Sequence, residues 1–129
     1  MYELRKINEE DLDLTLKKKL IKEAIVIYKP TFEWYALYDN DTMLTIIAVS
    51  FRKTNYRIEA IYTISEYRGY GLGTVALKQM IDILDSQYDI TADCLDSSIS
   101  MFKKCGFELI KSLELKICNL HKCIYRRRK

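Results

Sequence analysis

All four glycines of this 129-residue chain fall at two places. Three of them, Gly69, Gly71 and Gly73, alternate within one short window, and the fourth is Gly106. Glycines at every second position allow a tight bend and let the backbone approach a ligand closely. A stretch rich in β-formers, 58–64, precedes the window, and apolar residues at helical spacing follow it. The pattern predicts a strand, a glycine turn and a helix, whose first N–H groups can bind an anion such as phosphate.

The spacing of the glycines narrows the kind of phosphate site. It is not the G-x-G-x-x-G of a dinucleotide-binding turn, and the chain has no Gly-Lys pair for a P-loop. The segment Arg68-x-x-Gly71-x-Gly73 resembles the Q/R-x-x-G-x-G/A pattern of the GNAT superfamily of acyl-CoA N-acyltransferases. An ordinary strand-to-helix turn remains the alternative for this window alone.

A second segment strengthens the resemblance. Asp96 to Phe107, reading DSSISMFKKCGF, is similar to the superfamily's short helix that ends in "lYeklGF". Asp96 can cap this helix at its N-terminus, Gly106 can end it in the left-handed conformation, and Phe107 then begins a strand. The resemblance is strong over 57–110 and is only one of pattern elsewhere.

Composition is ordinary for a folded protein, with 49% hydrophobic and 30% charged residues. The length predicts one domain, 1–129. No apolar run approaches the roughly 20 residues of a membrane span, and residues 1–5 lack the character of a signal peptide. We therefore expect a cytoplasmic protein with no membrane partner.

The cysteines and the charge say less about function. In the cytosol the four cysteines are expected to be free and mostly buried thiols. Cys118, His121 and Cys123 could suggest a metal site, but no fourth ligand is evident, and we predict no metal. The net charge of +3 suits an anionic cofactor. The basic tail 126–129 is expected to be a solvated strand end rather than a contact for nucleic acid, which we do not expect as a partner.

Periodicity gives an order of elements. A single long helix is predicted over 9–25, with Asn8 and Asp11 forming a capping box. The predicted turn 53–56 precedes the strand that leads to the glycines, and this strand closes a three-strand antiparallel meander. The predicted strands are 2–7, 32–38, 43–52, 58–64, 89–94, 107–117 and 121–127. The result is an α/β fold with a mixed, mostly antiparallel central sheet flanked by helices.

The resemblance implies that acetyl-CoA or coenzyme A is the co-substrate. In the superfamily two neighbouring strands splay apart, and the pantetheine arm lies in the gap against exposed strand backbone. The residues implied to bind the coenzyme are Ile61, Tyr62, Thr63, Arg68, Gly69, Gly71, Leu72, Gly73, Thr74 and Phe102.

The resemblance also implies transfer of an acetyl group to a primary amine, on a small molecule or a peptide, by direct attack. Candidates for the residue that removes the amine proton are Glu59, Asp93 and Asp96. Phe102 stands where the superfamily often has a tyrosine that protonates the departing thiolate. An alternative function is therefore a non-catalytic acyl-CoA-binding or interaction module. Superfamily members commonly have two helices between the first two strands, where one long helix is predicted here. The acceptor side is therefore either open or completed by a second subunit in a homodimer.

Overall fold

The computed structural model describes residues 1–24, 26 and 28–127. The strands are β1 (Tyr2–Ile7), β2 (Glu33–Asp39), β3 (Thr42–Arg52), β4 (Asn55–Thr63), β5 (Asp89–Cys94), β6 (Glu108–Glu114) and β7 (Asn119–Tyr125). The helices are α1 (Leu14–Ala24), α2 (Leu72–Ile83) and α3 (Ile99–Lys104), with 3₁₀ turns at Glu9–Asp11 and Ser65–Tyr67.

Within the described residues, the strands form one sheet in the order β1-β2-β3-β4-β5-β7-β6. Strands β4 and β5 pair in parallel, and every other neighbouring pair is antiparallel. The predicted mixed, mostly antiparallel sheet and the meander of β2, β3 and β4 are confirmed. The connection from β4 to β5 must cross one face of the sheet, and α2 makes this crossing.

Each face of the sheet carries its own apolar core. One core lies under α2 and α3, where Ala76, Leu77 and Met80 are fully buried against the sheet. The other lies under α1 and is built around Leu20 and Trp34. Helices therefore cover both faces of the sheet.

Strands β4 and β5 separate part-way along their length. Their pairing runs from Asn55 opposite Asp89 to Ile58 opposite Ala92 and continues no further, although β4 extends to Thr63. The register of β3 with β4 shifts just past this point, leaving Glu59 as an extra residue in β4. A bulge of this kind bends its strand. The expected splayed pair is thus present, and the bulge at Glu59 accounts for it.

The first helix differs from its prediction. Asn8 and Asp11 do bond, since the Asn8 N–H donates to Asp11 Oδ2 at 2.9 Å, but they close only a short 3₁₀ turn. The chain then becomes extended at Leu12, and Asp13 caps α1 by accepting the Leu16 N–H at 2.8 Å. The single helix over 9–25 was wrong because Asp13 offers a competing cap; position 25 lies outside the described residues.

Other boundaries also move. The predicted turn 53–56 is confined to 53–54, because Asn55 already pairs with β5 and β3. The basic tail is not simply a solvated strand end. Arg127 donates to the carbonyl oxygens of Ile81 at 2.6 Å and Leu84 at 3.3 Å, and so satisfies the C-terminal end of α2. Positions 128 and 129 lie outside the described residues.

Candidate active site

A cleft of about 450 Å³ opens where β4 and β5 part. Its walls are the free edge of β4, the residues after β5, the start of α2 and one side of α3. The lining residues are Glu23, Ala24, Ile58, Glu59, Ala60, Ile61, Tyr62, Thr63, Arg68, Gly73, Asp93, Leu95, Ser97, Ser98, Met101 and Phe102. Ile61, Tyr62, Thr63, Arg68, Gly73 and Phe102 of the predicted coenzyme set therefore face one cavity.

The glycine turn lies at one end of this cleft. Gly69 and Gly71 have φ of 88° and 74°, which residues with a Cβ rarely adopt, and Gly71 precedes the first residue of α2. Gly73 is constrained differently, because a Cβ there would lie 2.8 Å from Met101 Sδ. The turn thus brings bare backbone and the positive end of a 12-residue helix to the cleft. Leu72 and Thr74 belong to the first turn of α2.

Arg68 fastens the turn to the rest of the protein. Its Nε donates to the Thr63 carbonyl at 2.9 Å, and its Nη2 donates to Glu23 Oε1 at 3.0 Å. This hydrogen bond lowers the pKa of Glu23. The guanidinium also lies over the Tyr62 ring, 5.0 Å from its centroid. Arg68 therefore links the end of β4 to α1 across the mouth of the cleft.

Phe102 forms part of the wall from α3. Its side chain is 2% exposed, and its ring packs edge-on against Phe107 at 5.0 Å between centroids. Two lining residues with hydroxyl groups, Ser97 and Ser98, lie just before α3. Phe102 is a packing residue here and brings no proton donor to the cleft.

Glu59 is held by several donors. Ser50 Oγ donates to its Oε2 at 2.5 Å, Arg52 bonds the same oxygen at 3.2 Å, and Arg57 Nε bonds its Oε1 at 3.2 Å. The carboxylate is only 9% exposed. Both oxygens of Glu59 are therefore engaged, and its charge is compensated.

Asp93 is bonded in a similar way from the other strand. Arg57 donates to its Oδ2 at 2.8 Å, and Lys122 Nζ lies 3.5 Å from its Oδ1. Burial raises the pKa of Asp93, but the hydrogen bond and charge of Arg57, helped by Lys122, outweigh burial and hold it below its usual value. Asp93 is therefore an ionised carboxylate of low basicity.

Asp96 lies apart from the other two candidates. It does not line the cleft, and it does not cap α3, whose N-cap position is Ser98. Its carboxylate instead accepts His121 Nε2 at 2.5 Å and Asn119 Nδ2 at 3.2 Å. The hydrogen bond from His121 lowers the pKa of Asp96. The capping prediction was wrong because a partner from β7, 25 residues away, takes the side chain.

A second cavity of about 340 Å³ adjoins the first on the α1 face of the sheet. The two share Ala24, Glu59, Asp93 and Leu95. The remaining walls are Lys29, Phe32, Arg52, Arg57, Leu115, Ile117, Cys118 and Leu120. A molecule in the second cavity can therefore reach a group held in the gap between β4 and β5.

Sequence reasoning missed the cations of this region, Arg57 above all. Arg57 and Glu59 stand two residues apart on β4, and Arg57 is paired across the sheet with Thr91, two residues before Asp93. The alternation along β4 was a usable signal for the Arg57–Glu59 pair. The contact with Asp93 depends on the β4–β5 register, which the sequence does not state.

The cysteines take no evident part in the cleft. Cys94 and Cys123 are buried with their sulfurs 3.1 Å apart, and the hydrogen bond between them, together with burial, raises the pKa of Cys94 well above its usual value. Burial also raises the pKa of Cys105. Among the described residues, no group of three or more His, Cys, Asp or Glu side chains is placed to hold a metal. In that same part of the chain, no helix is long and apolar enough to cross a membrane.

A parallel strand pair that separates beside a glycine turn at a helix N-terminus is the arrangement that the resemblance to acyl-CoA N-acyltransferases implies. The model of the acetyltransferase (GNAT) family matches residues 1–107, and the chain belongs to this family. No curated protein sequence matches the chain.

Solved structures give the same fold at low identity. An N-acetyltransferase from Staphylococcus aureus Mu50 is 17% identical with a TM-score of 0.77, and the match covers 99% of each chain. Arabidopsis thaliana Naa50, in complex with the bisubstrate analogue CoA-Ac-MVNAL, is 19% identical with a TM-score of 0.72 over 95% of this chain and 97% of that one. A spermidine N-acetyltransferase SpeG chimera from Vibrio cholerae and hSSAT is 12% identical with a TM-score of 0.73, covering 98% and 96%.

Proposed function

We propose that this protein is an N-acetyltransferase that moves an acetyl group from acetyl-CoA to a primary amine. The observation that carries the proposal is the end of β4–β5 pairing at Ile58 and Ala92, beside the helix α2, whose N-cap is Gly71. The gap exposes unpaired strand backbone, and the helix start presents N–H groups to a pyrophosphate. Family membership and the similar structure of Arabidopsis thaliana Naa50 with a bisubstrate analogue support the same assignment.

The coenzyme is assigned a path along these features. Its pyrophosphate binds the backbone of 69–74, and its pantetheine arm follows 61–63 toward the bulge at Glu59. Phe102 packs against the arm from α3. One backbone N–H of β4 polarises the thioester carbonyl and stabilises the oxyanion that forms there.

The reaction is direct attack of the neutral amine on the thioester carbon. A C–N bond forms, the C–S bond breaks, the amine proton leaves to solvent, and the coenzyme departs as a thiolate. Glu59 and Asp93 are both hydrogen-bonded to Arg57, and the pKa of Asp93 lies below its usual value, so the proton is assigned to water and not to a carboxylate. A thiol is far more acidic than an alcohol, the cysteine side chain having a pKa of about 8.5, so the thiolate leaves without an acid at Phe102 and is protonated by solvent afterwards.

A second candidate is a non-catalytic acyl-CoA-binding module on the same fold. It is favoured by two observations, the absence of a hydroxyl at Phe102 and the arginine-paired carboxylates in the cleft. Purified protein is offered acetyl-CoA and a broad panel of amines, and free thiol and acetylated amine are both measured. Equal amounts of the two products establish transfer. Tight binding of acetyl-CoA without either product would replace the enzyme with the binding module.

A further inference from the structure

The charges around the second cavity point to the chemistry of the acceptor. Three cations line it, Lys29, Arg52 and Arg57, against two carboxylates, Glu59 and Asp93. Both carboxylates already bond Arg57, and each has a further cation, Arg52 on Glu59 and Lys122 on Asp93. Among the described residues, each carboxylate that lines this cavity already pairs with two cations. Neither is therefore free to bind a second ammonium group of the acceptor.

The cations at the mouth of the cavity differ from Arg57 in exposure. The Arg52 side chain is 53% exposed although it contacts Glu59, and Lys29 is exposed on the segment after α1. Arg52 has further N–H donors beyond the one that bonds Glu59, because a guanidinium carries five. These donors and the Lys29 ammonium give the entrance a positive potential suited to a carboxylate.

The other walls are apolar. Phe32 is half-buried on the approach to β2, and Leu115 and Ile117, from the turn between β6 and β7, are 47% and 83% exposed. Leu120 completes this side of the cavity. An acceptor with an apolar side chain would cover these surfaces, and the removal of apolar area from water would strengthen its binding.

We infer that the acceptor is a small amino carboxylate with an apolar side chain, the chemistry of an apolar amino acid, and that Arg52 and Lys29 bind its carboxylate. The inference rests on the proposed acetyl transfer and specifies its substrate. The amine points through the shared opening at Glu59 and Asp93 toward the thioester, and the side chain lies against Phe32, Leu115 and Ile117. The surrounding cations also favour the neutral form of the amine, the form that attacks.

The test compares acceptors that differ in one group. Phenylalanine, phenylalaninamide and spermidine are each given with acetyl-CoA, and kcat/KM is measured from acetylated product. We expect kcat/KM for phenylalanine to exceed that for phenylalaninamide at least tenfold, and kcat/KM for spermidine to be the lowest of the three. Arg52→Gln and Lys29→Gln should each reduce the ratio of phenylalanine to phenylalaninamide at least threefold, whereas Lys18→Gln, an exposed change on α1, should leave it unchanged.

Binding of the products gives a readout that does not depend on turnover. N-acetylphenylalanine should bind the coenzyme A complex at least tenfold more tightly than N-acetylphenylalaninamide, and Arg52→Gln should remove this difference. A higher kcat/KM for spermidine or phenylalaninamide than for phenylalanine would overturn the acceptor inference. It would leave the transferase proposal in place. Binding of coenzyme with no amine acetylated, and neither product bound, would overturn both.

Discussion

Arg57 joins β4 to β5 at the place where the two strands stop pairing, donating to Asp93 Oδ2 at 2.8 Å. The same guanidinium bonds Glu59, the bulged residue of β4. One side chain therefore bonds two of the carboxylates that line the cleft, next to the last paired position of the parallel strands. Its hydrogen bond and charge hold the pKa of Asp93 below the usual value, against the effect of burial.

Replacing Arg57 by methionine should destabilise the protein by about 1–3 kcal/mol, between the values for surface and buried ion pairs. Two carboxylates would then face each other across the gap without their shared cation. Arg126→Met is the control, since Arg126 pairs with Glu108 at 3.5 Å on the exposed surface. It should change the free energy of unfolding by less than about 0.5 kcal/mol in urea denaturation.

The loss in Arg57→Met should depend on pH in a defined direction. The folded-state pKa of Asp93 lies below its unfolded value, so the ion pair stabilises the fold above pH ~4 and ceases to do so as pH falls through the folded pKa. The difference in unfolding free energy between parent and variant should be constant from pH 7 to 5 and shrink below pH ~4. A difference that persists undiminished at pH 2.5 would show that Arg57 acts by packing alone.

Substitution of Gly71 should reduce stability through backbone strain, whereas substitution of Gly73 should reduce coenzyme binding through its side chain. Gly71→Ala meets no atom within 4 Å but forces an alanine to φ of 74°, with a strain of roughly 1–2 kcal/mol. Gly71→Asn should lose less stability, because asparagine tolerates this conformation. Thermal melts of the two variants decide the order, and equal stability of alanine and asparagine would contradict the strain argument.

Gly73→Val should weaken coenzyme binding at least tenfold, because its side chain occupies the space between the turn and Met101 Sδ. Met101→Ala supplies room for the new side chain. If the close approach of backbone to pyrophosphate matters, the double variant Gly73→Val with Met101→Ala should fold as the parent does and still bind coenzyme weakly. Recovery of affinity in the double variant would place the phosphate elsewhere. Lys18→Ala is the surface control.

Phe102→Leu should lower stability by about 1–2 kcal/mol through lost area and the lost ring contact with Phe107. Turnover should stay within about tenfold, a barrier change below ~1.4 kcal/mol. Phe102→Tyr should fold and raise turnover where its hydroxyl reaches the sulfur. A thousandfold loss in Phe102→Leu with an unchanged melting temperature would reveal a chemical role for this position.

The pH profile of the reaction should follow the amine and not a side chain of the cleft. Asp93 stays ionised throughout the working range, and Glu59 has both oxygens engaged. We expect kcat/KM to rise with pH up to the pKa of the acceptor amine itself. An inflection between pH 6 and 8 that disappears in Glu59→Gln or Asp93→Asn would identify that carboxylate as a base.

Local chemistry made the glycine turn predictable. The signals for the strand, the left-handed glycines and the helix all lie within 58–84. These elements are set by contacts between residues that are close in sequence. The boundary at Asp13 was missed because two adjacent caps compete and the burial of Leu12 helps decide between them. The position of Asp96 was missed because His121 reaches it from a distant strand.

The electrostatics of the cleft could be predicted only in part. The sequence identifies Glu59 and Asp93 as acidic residues near the gap, but it does not identify their ion-pair partners Arg52, Arg57 and Lys122. Those contacts require the bulge in β4 and the register between β5 and β7, in which Asp93 lies opposite Lys122. Such registers are set by which face of each strand is buried and by the geometry of the connecting turns, and neither can be read from one strand alone.

Calorimetric titration of the purified protein with coenzyme A tests the central claim most directly. The account predicts one site per chain, a Kd in the micromolar range, and a loss of at least tenfold in folded Gly73→Val but none in Lys18→Ala. At about 100 times Kd, coenzyme A should add roughly 2.7 kcal/mol of stability and raise the melting temperature by several degrees. No heat and no shift at millimolar coenzyme A, with the protein folded, would contradict the account.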